Sequence, residues 1–443
     1  MVDSVPAPDR LPLWQSHTGD RPIAWHDDRI IALSEFTRHV SSLAQRLTVG
    51  DAMVNLCDDR YHFLVAYAAA QSLGHTVLLP PTRTEQIVRE VERDHPRSYR
   101  CDDAQVMQAL SASAPQPAAN DEVAANHVCM IGFTSGSSAA PKRFPKHWRS
   151  VNGSTACNAS AIRAALSLAP QAHAWLVATV PPQHMYGMEL SILLPLLGEM
   201  AVHSARPLFP ADIAQALEQV PGPRILVSTP VHLRAIVESP QLFPAVDLIV
   251  SATAPLDAAL ADAVERKLGG ELLEMFGSTE TCVLAARRTA RDSSWQPYAG
   301  VSLQRIDDGT LVDAPWFAAP TLLQDVLEVR PGGRFQVRAR SSDMVEVAGK
   351  RASLADITRR VLAIEGVKDA VVFQPGDESV ARIRRLAALV VAPGLSGAQI
   401  AAHLASAVDP AFLPRPIRMV EALPRNELGK LPREALLRAL RTP

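Results

Sequence analysis

Lysine is scarce in this chain of 443 residues. Only six occur, Lys142, Lys146, Lys267, Lys350, Lys368 and Lys430, against 38 arginines, so each retained lysine draws notice. A basic excess is also missing: 44 Lys and Arg stand against 46 Asp and Glu, a net charge of −2, which leaves no global field for a nucleic-acid backbone. The five cysteines, Cys57, Cys101, Cys129, Cys157 and Cys282, are scattered and show no CxxC spacing, so neither a zinc site nor a disulfide framework is expected. The longest apolar stretch, Met188–Val202, is broken by Pro195 and carries Glu189 and Glu199. A membrane span needs roughly 20 apolar residues, so this stretch is expected to be a buried helix. The opening residues MVDSVPAPDRLPLWQSHTGD have neither a basic nor an apolar leader region, and a reduced, cytoplasmic, soluble chain is expected.

What is present is core-forming material: 47% hydrophobic and 20% charged residues. Apolar strands are expected at Trp175–Val180, Arg224–Ser228 and Val246–Ser251, with helices at Ala211–Gln219, Pro230–Glu238 and Leu256–Leu268. Strand–helix alternation of this kind predicts layered α/β sheets with largely parallel pairing. Residues 111–126, SASAPQPAANDEVAAN, are polar and rich in Ala and Pro, and read as a surface linker.

The character changes near residue 340. A turn and strand at Gly332–Arg338 lead into short elements: strands at Met344–Val347, Ala370–Gln374 and Leu386–Val391, and helices at Ser353–Ala363, with Ser353 as N-cap, and Ser396–Ser406. Residues 1–339 are therefore expected to form a large α/β domain and 340–443 a small, separate α+β domain. Charge follows that division, with about +5 on 340–443 and −7 on the remainder. A basic small domain suits an anionic ligand or partner; a solvated surface is the plainer alternative.

The segment with most chemical content runs from the apolar strand His127–Phe133 into Thr134-Ser135-Gly136-Ser137-Ser138-Ala139-Ala140-Pro141-Lys142. Small residues let backbone N–H groups face an anion, hydroxyls add donors, and a terminal lysine supplies a mobile charge. A triphosphate needs these features, although the pattern is not GxxxxGK[ST].

This loop resembles the TSG[ST]TGxPK phosphate loop of the adenylate-forming ligase superfamily, which includes acyl- and aryl-CoA synthetases, peptide-synthetase adenylation domains and luciferases. Four further segments resemble that superfamily's motifs in order. They are Pro182-Gln183-His184-Met185-Tyr186-Gly187, Glu274-Met275-Phe276-Gly277-Ser278-Thr279-Glu280, Leu323-Gln324-Asp325 and Arg340-Ser341-Ser342-Asp343, followed by the closing loop Leu423-Pro424-Arg425-Asn426-Glu427-Leu428-Gly429-Lys430. The resemblance implies binding of ATP and Mg²⁺, with Lys430, Thr279, Glu280 and His184 as the catalytic residues. By the same resemblance Thr134, Ser135, Gly136, Ser137, Ser138 and Lys142 hold the phosphates. Thr253, Ala254, Pro255, Met275, Phe276, Gly277 and Ser278 line the nucleotide, Phe276 stacking on adenine. Asp325 takes the ribose hydroxyls, Arg340 lies at the nucleotide, and Glu280 holds the metal. His184, Tyr186, Gly187, Ala252, Thr253 and Gly277 line the acid; Ser342 falls on the hinge and Gly349 on the thiol tunnel.

Departures accompany the resemblance. Ala139 replaces a loop glycine, Ala252 and Thr253 replace two more, and Ser342 stands where Asp or Lys is usual. Side chains at 252 and 253 would narrow the pocket. The segments 295–303 (WQPYAGVSL), Asp343–Arg351 and 425–436 look most like small ligases of aryl-polyene and xanthomonadin-type pigment pathways. Those join a small aromatic acid, such as 3-hydroxybenzoate, to the pantetheine thiol of an acyl carrier protein. A fatty acyl-CoA ligase and a non-catalytic nucleotide- or acyl-binding relative are the alternatives; no nucleic-acid partner is expected.

Overall fold

The structure, a computed structural model, describes residues 9–16, 19–47, 50–111, 120–134, 142–306, 309–340, 344–347, 350–375, 386–405, 408–426 and 429–441. The chain divides into two compact units, Met1–Ser302 with Asp313–Thr321, and Leu303–Val312 with Leu322–Pro443. The boundary read at 339/340 falls inside the second unit, at the end of the strand Phe335–Arg340, because residues 303–312 and 322–340, including the antiparallel ribbon Asp325–Val329/Phe335–Arg340, group with the C-terminal residues.

In the large unit a nine-stranded sheet runs, from one edge, through Gln296–Pro297, Cys282–Arg287, Glu271–Ser278, Leu248–Ser251, Arg224–Ser228, Trp175–Ala178, Ala201–His203, Pro22–His26 and Arg29–Ala32. Its middle strands pair in parallel and only the edges are antiparallel. Leu248–Ser251 and Trp175–Ala178 are buried at every position, as expected where helices cover both faces. A second, five-stranded sheet orders Ser98–Cys101, Ala52–Asn55, Thr76–Leu79, Val128–Thr134 and Lys142–His147, parallel except for the last strand. The helix Arg60–Ser72 touches strands of both sheets and is buried along almost its whole length. Asp59 caps it by accepting from the His62 N–H at 2.9 Å.

The expected α/β layering is thus observed, with shifts at element ends. The helix expected at Leu256–Leu268 begins at Ala258, because Asp257 accepts from the Leu260 N–H at 2.8 Å and sets the N-cap there. Within the expected linker, Glu122–Ala124 pairs antiparallel with Arg10–Pro12, anchored by the buried Val123. The apolar stretch Met188–Val202 is a buried helical run as far as Leu197, part of it a π-helix over Glu189–Leu193, but its end, Ala201–Val202, belongs to the strand Ala201–His203. Among the described residues no helix is long and apolar enough to cross a membrane.

The smaller unit carries a three-stranded sheet in the order Asp369–Phe373, Ala387–Val391, Ile417–Met419. Helices Leu354–Leu362, Gly397–Ala405 and Arg433–Arg441 accompany it, and Ser353 caps the first of them by accepting from the Asp356 N–H at 3.3 Å.

Candidate active site

In open parallel sheets, ligands bind beyond the carboxyl ends of the strands. At that end of the nine-stranded sheet the side chains are hydroxyls. Thr179 Oγ1 lies 3.0 Å from Ser228 Oγ, and His232 Nδ1 lies 3.0 Å from Thr229 Oγ1. Ser251 Oγ is buried without a hydrogen-bond partner. The sequence motifs do not include these residues; the signal for them is a Ser or Thr closing three consecutive apolar strands.

The segment Pro181–Gly187 lies against these ends. Tyr186 is buried, and its hydroxyl donates to the carbonyls of Ser228 at 3.1 Å and Val250 at 3.0 Å. A side chain at Gly187 would place its Cβ 2.0 Å from the Pro181 carbonyl oxygen, so close main-chain packing requires glycine there. His184 is half-buried at the start of the helical turn Met185–Met188, and Gln183 accepts from Arg83 at 3.2 Å.

Gly132 joins three of the sequence motifs. It stands near the end of Val128–Thr134, the strand that leads into the serine-rich loop. A Cβ added there would lie 3.2 Å from Thr279 Cγ2 and 3.5 Å from Met185 Sδ. The loop base, the Thr279–Glu280 turn and the His184 segment therefore converge. Thr134 and Lys142 are register partners on the two strands flanking that loop. Ser135, Gly136, Ser137 and Ser138 lie outside the described residues, as do Ser342 and Gly349.

The turn 279–281 joins Glu271–Ser278 to Cys282–Arg287. Ser278 and Thr281 close it through their hydroxyls, 3.1 Å apart. Gly277 sits at a register shift, and a Cβ there would meet the Cys282 carbonyl oxygen at 2.1 Å. Met275 is in the core, whereas Phe276 is partly exposed with its ring 5.2 Å from that of Trp295. Trp295 is covered on a face by the Arg287 guanidinium at 4.3 Å, and Arg287 also pairs with the buried Glu274 at 2.7 Å. Burial pushes the Glu274 carboxyl up, against the pull of Arg287.

Two buried charged residues support the turn, and neither was assigned a role from the sequence. Lys146, on Lys142–His147, donates from Nζ to the main-chain carbonyl of Glu280. Glu189, on the π-helical segment, accepts from the Val283 N–H at 3.0 Å, Ser154 Oγ at 2.8 Å and Asn158 Nδ2 at 3.4 Å. Burial raises the Glu189 pKa; those three bonds and Lys146 oppose it. The turn carries oxygen donors of the kind that suit Mg²⁺, the Glu280 carboxylate and the Thr279 hydroxyl, while the Ser278 hydroxyl is engaged with Thr281.

Beyond the strand Leu248–Ser251, Ala252 is buried and Thr253 holds φ = +82°. A β-branched residue in that region is strained, and a glycine would not be. Ala254 is half-buried and Pro255 exposed.

Within the smaller unit, Asp325 and Arg340 are register partners in the antiparallel ribbon Asp325–Val329/Phe335–Arg340, so two of the sequence motifs meet there. Thr310 pins the start of the ribbon, donating to the Asp325 carbonyl at 2.9 Å and accepting from the Leu327 N–H at 3.2 Å. In the closing loop, Asn426 and Lys430 exchange two bonds: the Lys430 N–H donates to Asn426 Oδ1 at 2.9 Å, and the Asn426 N–H to the Lys430 carbonyl at 2.8 Å. Arg425 donates to the Gly429 carbonyl at 2.8 Å and grips both oxygens of Asp369, at 2.9 and 3.1 Å. The main chain at Lys430 is thereby fixed, while the residue itself is exposed.

Residues 79–311, about half of the chain, match the AMP-binding enzyme family. The chain belongs to that family, and it is accordingly an AMP-forming acid–thiol ligase. It is 28% identical to a 4-coumarate–CoA ligase of Rhodobacter capsulatus over 302 residues, 67% of this chain and 73% of the relative. A 4-coumarate–CoA ligase of Halorhodospira halophila is 29% identical over 70% of this chain and 76% of its own. Among solved structures, o-succinylbenzoate CoA synthetase of Bacillus subtilis with its acyl-adenylate superposes with a TM-score of 0.79 at 17% identity, covering 96% of this chain and 98% of that one, a likeness of fold.

Proposed function

We propose that this ligase adenylates a small aromatic carboxylic acid of the hydroxybenzoate kind with ATP. The acyl group is then passed to a pantetheine thiol, that of an acyl carrier protein. The observation that carries the choice of acid is the pair Ala252 and Thr253 at the strand end, where Thr253 keeps a side chain despite φ = +82° and so takes up space a glycine would leave open. The aromatic acid in the names of the similar ligases from Rhodobacter capsulatus and Halorhodospira halophila points the same way.

The acid carboxylate and the α-phosphate are both anionic, so attack requires charge neutralisation before geometry can help. Lys430 supplies a compact positive charge between the two. Thr279 donates to the α-phosphate, and Lys142 with the hydroxyls of Thr134, Ser135, Ser137 and Ser138 and the Gly136 N–H holds the departing pyrophosphate. Glu280 would hold Mg²⁺, which would supply charge neutralisation at the phosphates. Phe276 stacks on adenine along the chain from Thr253–Pro255 to Ser278, and Asp325 accepts from the ribose hydroxyls, with Arg340 beside the nucleotide. His184, Tyr186 and Gly187 shape the acid side. In the second half-reaction Lys430 withdraws by rotation about Ser342, Gly349 borders the thiol's path, the thiol sulfur attacks the acyl carbon, and AMP leaves.

The net positive charge of residues 340–443 suits an acidic carrier protein. Coenzyme A is the second acceptor to weigh, favoured by the CoA ligases among the relatives. Competition between holo-carrier protein and CoA, read by intact-protein mass spectrometry and thioester chromatography, separates the two. Acylation of the carrier at the higher kcat/KM is expected, and exclusive formation of acyl-CoA would replace it as the acceptor.

A further inference from the structure

A second cluster of ligand-type side chains lies in the large unit, at the N-terminus of the buried helix Arg60–Ser72. His26 ends the strand Pro22–His26, Asp59 caps the helix, and His62 lies in its first turn. One donor atom from each of the three lies within 4.8 Å of the other two. His26 and His62 are 7% and 6% exposed, and His26 Nδ1 is buried without a hydrogen-bond partner. That nitrogen is 3.7 Å from Asp59 Oδ2, too long for a hydrogen bond and about the separation of two donors sharing one ion.

The outer contacts have the form that metal-binding histidines use, in which the second ring nitrogen meets a carboxylate. Asp103 holds His62 Nδ1 at 2.8 Å, which leaves Nε2 to bind, and Asp27 lies 3.4 Å from His26 Nε2. Asp103 is itself fixed by the N–H groups of Asp58 and Asp59, at 2.8 and 3.2 Å. A helix N-terminus alone repels cations, but here Asp27, Asp59 and Asp103 reverse the sign. The neighbouring arginines are committed elsewhere: Arg29 to Glu35, Arg83 to Asp58, and Arg60 to the Ala178 and Val180 carbonyls and Ser191.

We propose that His26, Asp59 and His62 form a site for one divalent transition metal of the Zn²⁺ class, completed by water. Two imidazoles and one carboxylate suit that class, unlike the oxygen donors at Glu280. The metal ties a strand end to a helix start. The next residue, Arg60, holds the carbonyls just ahead of Pro181–Gly187, so the site braces the acid-side segment and takes no part in the chemistry.

The test uses the full chain, stripped with chelator and titrated with Co²⁺ by visible absorption and with Zn²⁺ against a chromophoric chelator. One equivalent is expected to bind, with tetrahedral Co²⁺ bands and a raised Tm with Zn²⁺. Asp103→Asn is expected to weaken binding about 10–100-fold, and His26→Gln and His62→Gln to weaken it further. Asp59→Asn retains an N-cap acceptor, so it separates loss of the metal from loss of the fold, checked by circular dichroism. Glu280→Gln should leave the Co²⁺ spectrum unchanged. Absence of stoichiometric binding, or binding that survives in His26→Gln and in Asp59→Asn, would overturn the proposal.

Discussion

Lys146 Nζ donates to the main-chain carbonyl of Glu280, a contact between residues 134 apart in sequence. One of six lysines in the chain thus sits under the turn to which the metal-binding role is assigned. Glu189 grips the same turn from its other end, at the Val283 N–H.

Removal of that support is testable. Lys146→Met leaves the carbonyl and Glu189 without their buried cation. A hydrogen bond to a charged group contributes about 1.5–3 kcal/mol, so ATP–pyrophosphate exchange is expected to fall roughly 10–100-fold, with a lowered Tm. Unchanged exchange would mean that the turn holds itself.

The role proposed for Lys430 is confined to the first half-reaction. Lys430→Ala should abolish adenylation yet largely spare thioester formation from pre-made acyl-adenylate, measured by single-turnover transfer. If adenylation survives, the charge between carboxylate and α-phosphate comes from elsewhere.

Thr253 tests the strained strand end. Backbone strain of about 1–3 kcal/mol is relieved in Thr253→Gly, against roughly 0.5–1 kcal/mol of added chain entropy in the unfolded state. A net gain of about 1 kcal/mol in denaturant unfolding is expected, together with tolerance of bulkier acids. Destabilisation would show that the threonine's contacts outweigh its strain.

Acid stability should depend on His39, whose Nδ1 lies 2.6 Å from the Tyr61 hydroxyl. Burial holds its pKa down, from the usual 6.5 to about 4, against the pull of Glu35. Between those values the unfolded chain binds a proton that the folded chain refuses, so stability is full above about 6.5 and is lost as pH falls towards 4. At pH 5 the loss is roughly 1–2 kcal/mol after allowance for partial exposure. His39→Gln should flatten the urea midpoint between pH 7 and 5, and an equal slope in the variant would assign the effect to other groups.

The layering was legible because strands such as Trp175–Ala178 and Leu248–Ser251 are continuous apolar runs punctuated by Pro and Gly. The strand Glu122–Ala124 was not, since three residues carry no period and its anchor is one valine. The convergence of Gly132, Thr279 and Met185 could be expected only through motif resemblance, because no local pattern encodes a contact between distant segments. The sequence gives no role to Lys146, Glu189 or the His26–Asp59–His62 cluster for the same reason: each is an ordinary side chain until the sheets bring its partners near. The facing of Asp325 and Arg340 depends on strand register, which their two motifs do not specify.

The most direct measurement is ATP–pyrophosphate exchange by the full chain over a panel of hydroxybenzoates, cinnamates and straight-chain acids. Exchange that depends on added acid, with the highest kcat/KM for a hydroxybenzoate, is the expected result. A preference for aliphatic acids of about eight carbons or more would contradict the proposed aromatic substrate, and failure of every acid in the panel to support exchange would contradict the proposed chemistry itself.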